Sequence, residues 1–223
     1  TPDQMATLPS MTRQLKFEAN GEKKKTKVVY LSDILESFQE NKDLDFWVVN
    51  CGDKYQSNFT PAVIESTRPY LVLEVEDQPL VDWLRQIGHP EWGPNIINIE
   101  NTEGLLDPGH KNPWGVTEII ATTRASALAD WADHAMDASA KRGLELFLDS
   151  CASCHQSGNG LLGGSVSTRP LALLSIFAAS NETYFRSILK DPQKTNPLAE
   201  KMPSYAHWPE EYVQDLIEFL KSK

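Results

Sequence analysis

Two thiols and an imidazole fall within five residues at Cys151-Ala152-Ser153-Cys154-His155, and this stretch constrains the chain more than any other. Thiols three positions apart can each add across a vinyl group of one haem, and the histidine directly after the second is then set against the iron. C-x-x-C-H is the pattern of c-type haem attachment. A segment carrying such a group must fold around a flat, rigid body, so the flanking residues are read for what they supply to it.

A chain of 223 residues has room for two domains. The motif lies two-thirds of the way along, which leaves about 130 residues ahead of the haem-bearing part, enough to bury a separate core. Hydrophobic content of 40% with 23% charged residues excludes a disordered chain. No run of eighteen apolar residues is present, so no membrane span is expected.

The formal charge of −10 is unevenly placed: residues 1–134 hold 21 acids and 12 bases, whereas residues 135–223 hold 10 and 9. Such a surface speaks against nucleic acid and, where it selects a partner at all, for a basic one. Its commoner use is solubility. Of the three cysteines the motif takes two, which leaves Cys51 without an intrachain disulfide partner. Haem attachment of this kind belongs to an exported compartment. Thr1-Pro2-Asp3 opens no basic, apolar, small-residue pattern, so a periplasmic protein with its signal peptide already removed is expected.

The first part of the chain reads as strands. Polar and apolar residues alternate from Thr12 to Glu18, Asn20-Gly21 signals a hairpin, and the returning strand is expected at Thr26 to Tyr30, with Lys23, Lys24 and Lys25 near the tip. Ser32-Asp33 reads as an N-cap before a short helix carrying Ile34, Leu35 and Phe38. Further strands are expected at Leu44 to Val49, Tyr70 to Val75, Ile96 to Ile99 and Val116 to Ala121, with one helical turn at Pro61 to Ser66. After Thr123 alanines at 125, 127, 129, 132, 135, 138 and 140 predict a helix, broken once at most, from Ala125 to Leu148.

Gly143-Leu-Glu-Leu-Phe147-Leu-Asp-Ser-Cys151 resembles the N-terminal helix of class I cytochromes c, in which a glycine and an aromatic precede the first haem cysteine. The glycine admits a close crossing helix and the aromatic packs against it. Pro209 at N1, Glu210 and Glu211, then Tyr212, Leu216, Phe219 and Leu220 at helical spacing describe that partner. Lys201-Met202-Pro203 resembles the methionine loop of the family, 47 residues after His155, and the resemblance implies Met202 as the second axial ligand.

His207 is the rival ligand; it reads otherwise as a histidine packed beside Trp208. Met136 reads as core or surface. Gly158-Asn159-Gly160 and Gly163-Gly164 resemble the loop after the haem histidine. Pro170, followed by Leu171, sits where the family has a proline whose carbonyl accepts a hydrogen bond from that histidine. Asn181 to Lys190 predicts a middle helix ended by Asp191-Pro192.

Residues 26–123 resemble the latter portion of the sulfite-oxidase-type molybdopterin-binding domain. The segments that carry this are Val29-Tyr30-Leu31-Ser32-Asp33-Ile34-Leu35, Val48-Val49-Asn50-Cys51-Gly52-Asp53-Lys54-Tyr55, Arg68-Pro69-Tyr70-Leu71-Val72-Leu73 and Pro113-Trp114-Gly115-Val116. Lys54 replaces the second glycine of the family's turn. The family's metal-ligating cysteine comes earlier in the domain, yet no cysteine precedes Cys51, and residues 28–53 offer only Lys42 to a phosphate. No molybdopterin is therefore expected, and Cys51 reads as a small buried hydrophobe rather than a ligand. His89, His110 and His134 match no standard metal spacing. Trp47, Trp83, Trp92 and Trp114 either line a cleft or, more in keeping with such residues, belong to the core.

These readings predict an α+β chain: a β-rich N-terminal domain with short helices over 1–125, a helical linker over 126–136 and an all-α cytochrome c domain over 137–223. The expected function is electron transfer through one covalent haem c held by Cys151 and Cys154 and ligated by His155 and Met202, with Pro170 and Leu171 beside it. The expected partner is a dehydrogenase or another cytochrome, docked through the N-terminal domain. The alternatives are the haem-bearing component of a sulfite-oxidase-like dehydrogenase and a ligand-sensing haem protein.

Overall fold

Strand β1 (Met11–Lys16) and strand β2 (Lys23–Tyr30) pair antiparallel, as the alternation predicts, with Lys16 opposite Lys23, where a two-residue turn centred on Asn20-Gly21 would have set Lys16 opposite Lys25. The computed structural model describes residues 7–16, 22–38, 41, 43–129, 131, 136–156 and 161–223, so the turn itself lies outside the described residues. The chain divides into two units, Thr1–Ser126 and Ala127–Lys223.

In the first unit, β5 (Tyr70–Val75) pairs with the other edge of β2, and with the short β6 (Gln78–Pro79) and β7 (Ile97–Asn98) completes a five-stranded antiparallel sheet. A second, three-stranded sheet sets β3 (Phe46–Cys51) between β4 (Gln56–Phe59) and β8 (Val116–Thr122). Three helices accompany them: α1 (Leu31–Phe38), α2 (Pro61–Thr67) and α3 (Leu80–Gln86).

The larger sheet is buried on both faces. Val28, Tyr30 and Val72 face Leu80, Trp83 and Leu84 of α3, while Val29 and Leu71 face Trp47, Val49 and Phe59 of the smaller sheet and Ile64 of α2. Successive side chains of a strand point to opposite sides, so burial on both sides demands the continuous apolar runs seen at 28–31 and 70–73.

Several expectations are corrected in detail. Ser32 and Asp33 lie inside the first turn of α1 rather than capping it, because the Leu31 N–H is already satisfied by the Pro69 carbonyl at 2.8 Å. Helix α3 and strand β4 were not signalled. The β4 residues Gln56, Ser57 and Asn58 are polar yet buried, and each has a partner: Gln56 Nε2 donates to Asn50 Oδ1 (2.9 Å) on the adjoining strand, the Ser57 hydroxyl donates to the His110 carbonyl (2.6 Å), and Lys111 Nζ donates to Asn58 Oδ1 (3.1 Å). Trp47 and Trp83 are core, while Trp92 and Trp114 are half-buried against the same cluster.

In the second unit the structure gives α4 (Ala138–Ser150), α5 (Leu171–Ser180), α6 (Glu182–Lys190) and α7 (Glu210–Lys221), with a one-turn helix at Pro192–Thr195. The predicted helix from Ala125 is corrected: after a single turn at Arg124–Ala127, α4 starts at Ala138, where the Asp137 side chain accepts from the Ala140 N–H at 2.8 Å. Of the stretch 126–136 expected as a helical linker, only Ser126 and Ala127 are helical among the described residues. Leu128, Trp131 and Met136 are buried there, and the Trp131 ring meets Phe147 edge-on at 5.2 Å. Residues 130 and 132–135 of that stretch lie outside the described residues.

Helices α4 and α7 cross at Gly143. A Cβ placed on it would lie 2.0 Å from the Asp215 carbonyl oxygen and 2.7 Å from Phe219 Cβ, so only glycine allows the approach. Phe147 packs on Phe219 at 5.5 Å. Beside the crossing the buried Asp215 carboxylate accepts from Arg142 Nε at 2.7 Å and from the Ser139 hydroxyl.

Candidate haem-binding site

The last turn of α4 runs directly into the motif. Cys151 keeps an αR backbone with its N–H on the Phe147 carbonyl at 2.9 Å, and both Cys154 N–H (3.1 Å) and His155 N–H (3.0 Å) return to the Cys151 carbonyl. The motif is thus wound as a turn continuing the helix. The following loop is laced back onto it: Gly164 N–H meets Ala152 O (2.7 Å), Ser167 N–H meets Cys154 O (3.0 Å) and Leu171 N–H meets Gln156 O (2.9 Å). Gly163 makes this closure possible, with φ at +100° and a Cβ position only 2.3 Å from Gln156 Cα. Gly158, Asn159 and Gly160 lie outside the described residues.

His155 Nδ1 lies 2.7 Å from the Arg169 carbonyl oxygen. A carbonyl can only accept, so Nδ1 carries the proton and the Nε2 lone pair is left for a metal. The expected acceptor was the carbonyl of Pro170, one residue later. That carbonyl is occupied by the first turn of α5, accepting from Leu173 N–H (3.0 Å) and Leu174 N–H (3.2 Å). Pro170 instead holds the preceding residue out of the helix and leaves its carbonyl for the histidine. Burial pushes the His155 pKa below the ordinary imidazole value, which keeps the ring neutral and able to ligate.

His155 and Met202 line one cleft, whose other walls are almost wholly apolar: Phe147 of α4, Leu174 and Phe177 of α5, Phe185 and Leu189 of α6, and Leu216 of α7. Cys151 is at its edge, and Arg169 is the one charged side chain among the described wall residues. Pro170 and Leu171 are not part of the walls. Leu171 starts α5 on the face that also buries Ser175 and Ala178, whereas Leu174 and Phe177 occupy the face turned to the cleft. His207 is exposed, 6.4 Å from the Tyr205 ring centroid, and Met136 is buried elsewhere in the unit; neither lines the cleft.

The residues fit a haem by their chemistry. Apolar walls suit the macrocycle, a neutral imidazole and a thioether suit its iron, and a guanidinium suits a propionate. A thiol-bearing turn, an oriented histidine and a methionine on the same apolar cleft define a c-type cytochrome domain. In agreement, a family model described as cytochrome c oxidase, cbb3-type, subunit III matches residues 138–220. No curated protein matches the chain closely enough to count as a relative.

The walls at Leu174 and Phe177 and the carbonyl of Arg169 escaped the reading of the sequence. The spacing of Leu174 and Phe177 on an all-apolar helix was their signal, and Arg169 was marked only by preceding Pro170.

In the first unit Cys51 is buried among Val49, Phe59 and Val116, and burial, with the Asp53 carboxylate adding to it, pushes its thiol up to about 12. At neutral pH the thiol is thus held protonated. His110 binds the Tyr55 hydroxyl at 2.6 Å and Asp107 at 3.1 Å, while His89 stacks on Trp92 at 3.8 Å; His134 lies outside the described residues. No group of three or more metal-ligating side chains forms among the described residues. Nor, among them, is any helix long and apolar enough to cross a membrane.

Proposed function

We propose that the protein is an electron carrier with one haem c, held by thioether bonds to Cys151 and Cys154 and ligated axially by His155 Nε2 and Met202 Sδ. The observation that carries this is the shared cleft: the oriented histidine and Met202 lie on the same apolar walls. A haem bound there supplies a one-electron Fe(III)/Fe(II) couple. The chain's own residues hold it, keep water from it and, through the Arg169 carbonyl, make the histidine a stronger donor. With His155 and Met202 both ligating the iron, no position would be left for a substrate, which would separate a carrier from a haem enzyme.

The functional division follows the two units: a β-rich part over 1–125 that docks a redox partner, and the haem part over 137–223, in a protein exported to an oxidising compartment such as the periplasm. The partner is a dehydrogenase or another cytochrome; the matched family is named for an oxidase subunit, which fits an oxidase or cytochrome as acceptor. The resemblance of residues 26–123 to part of a molybdopterin-binding fold supports a docking scaffold rather than a second cofactor site, since Cys51 is buried and protonated.

Absorption spectroscopy tests the ligand pair. The oxidised protein is expected to show the weak far-red band of iron bound to methionine sulfur; Met202→Ala is expected to lose it and His207→Ala to keep it. Persistence of the band in Met202→Ala refutes the assignment. Metal analysis is expected to give iron at one per chain without molybdenum.

A further inference from the structure

Helices α1 and α2 and the start of β3 enclose an open cleft of about 740 Å3 in the Thr1–Ser126 unit. Its floor is apolar, with Leu35, Trp47 and Ile64, and its rim carries the carboxylates of Asp33, Glu36, Asp45 and Glu65. Among the described residues Arg68 is the only basic one lining it and is already engaged, 3.2 Å from Glu100 and 4.8 Å above the Tyr30 ring. Asp45 accepts from the Arg124 N–H at 2.7 Å, but Asp33 and Glu65 enter no ion pair among the described residues. Carboxylates such as Asp33 and Glu65, without a cationic partner among the described residues and beside an apolar floor, suit a ligand with cationic and apolar groups together.

We propose that this cleft receives a basic segment of a partner protein, whose lysine or arginine side chains meet the rim carboxylates while an apolar side chain packs on the Trp47 floor. Sites for small molecules enclose most of their ligand, whereas Glu36, Asp45 and Glu65 here are exposed to solvent, as suits an extended protein segment. Charge complementarity reaches further than the cleft. The first 134 residues hold 21 acids against 12 bases, a field that draws a basic surface in and orients it before contact. The proposal deepens the docking role given above to the N-terminal part, and rests on it.

The test uses the full-length holoprotein and a fluorescein-labelled peptide of alternating lysine and leucine, with its glutamate-for-lysine counterpart, followed by fluorescence anisotropy. The lysine peptide is expected to bind and the glutamate peptide not, with affinity falling as salt rises. The double variant Asp33→Asn/Glu65→Gln is expected to weaken binding by about tenfold. The control Asp82→Asn/Glu103→Gln removes two exposed carboxylates outside the cleft and is expected to leave binding unchanged. Equal weakening by both pairs, or none by the first, overturns the proposal. So does displacement of the peptide by hexylamine at a matching concentration, which would mark a small-cation site. The haem absorption spectrum, recorded on the same samples, reports on the ligand assignment alone, so the two readings fail separately.

Discussion

Gly143 and Asp215 meet backbone to side: the space where a Cβ on the glycine would stand is filled by the aspartate's carbonyl oxygen, 2.0 Å away. Alanine in a helix interior is intrinsically better than glycine by about 0.5–1 kcal/mol. Here the obstacle is backbone, which cannot swing aside, and overpacking costs about 1–3 kcal/mol or more. Gly143→Ala is therefore expected to lower stability in urea unfolding, against its helix propensity. An unchanged or raised midpoint contradicts the close crossing.

The same aspartate gives a pH dependence. Hydrogen bonding from Arg142 holds the Asp215 carboxyl below the usual carboxylate range. A depressed folded-state pKa contributes stability that is present above the unfolded value of about 4 and is lost as pH falls through the folded value. Asp215→Asn is expected to be less stable than the parent by on the order of 1 kcal/mol at neutral pH, a modest figure because Arg142 is more than half exposed. The gap should close as the pH is taken below 4, which denaturation curves at stepped pH would follow. A gap independent of pH removes the ion pair from the account.

Cys51 should be chemically silent. With its thiol at about 12, almost none is thiolate at pH 8, so a thiol reagent is expected to label it only after unfolding. Cys51→Ser puts a hydroxyl into an apolar cluster and is expected to cost about 1–3 kcal/mol. Cys51→Ala should cost less. Rapid labelling of the native protein would contradict the burial described.

Gly163 is the second glycine that tolerates no replacement. At φ +100° and 2.3 Å from Gln156 Cα, an alanine side chain must break the loop's closure on the motif. Gly163→Ala is expected to reduce the fraction of protein carrying covalent haem, measured by haem absorbance per chain. Gly164→Ala is the comparison, since the hydrogen bond there uses only its N–H.

The haem-bearing part was legible because its chemistry is written in order along the chain: the helix with Gly143 and Phe147, the motif, the loop, the methionine, the last helix. What misled there was a matter of one peptide unit. A proline marks the acceptor carbonyl, yet its own carbonyl is needed by the helix it starts, so the acceptor is Arg169. In the first unit, strands with apolar faces were readable, whereas Gln56–Phe59 was not, because its buried polar side chains find partners only in the fold: Gln56 on Asn50 of the adjoining strand, Ser57 and Asn58 on residues more than fifty positions away. The stretch after Ala127 shows the limit of propensity: alanines favour a helix, but the buried Trp131 and the cap at Asp137 decide where it begins.

The loop that laces back onto the motif joins residues only 12 to 15 positions apart, while Met202 is 47 positions from His155 and Asp215 is 72 from Gly143. Loop-closure entropy rises with separation, and nearby contacts form first. The contacts on the His155 side are therefore local in sequence, whereas those that bring Met202 to the cleft close a far longer loop. The histidine's orientation depends on its own neighbourhood, while the methionine's place depends on the packing of the whole unit; a change far from the motif is expected to disturb the methionine's side and spare the histidine's.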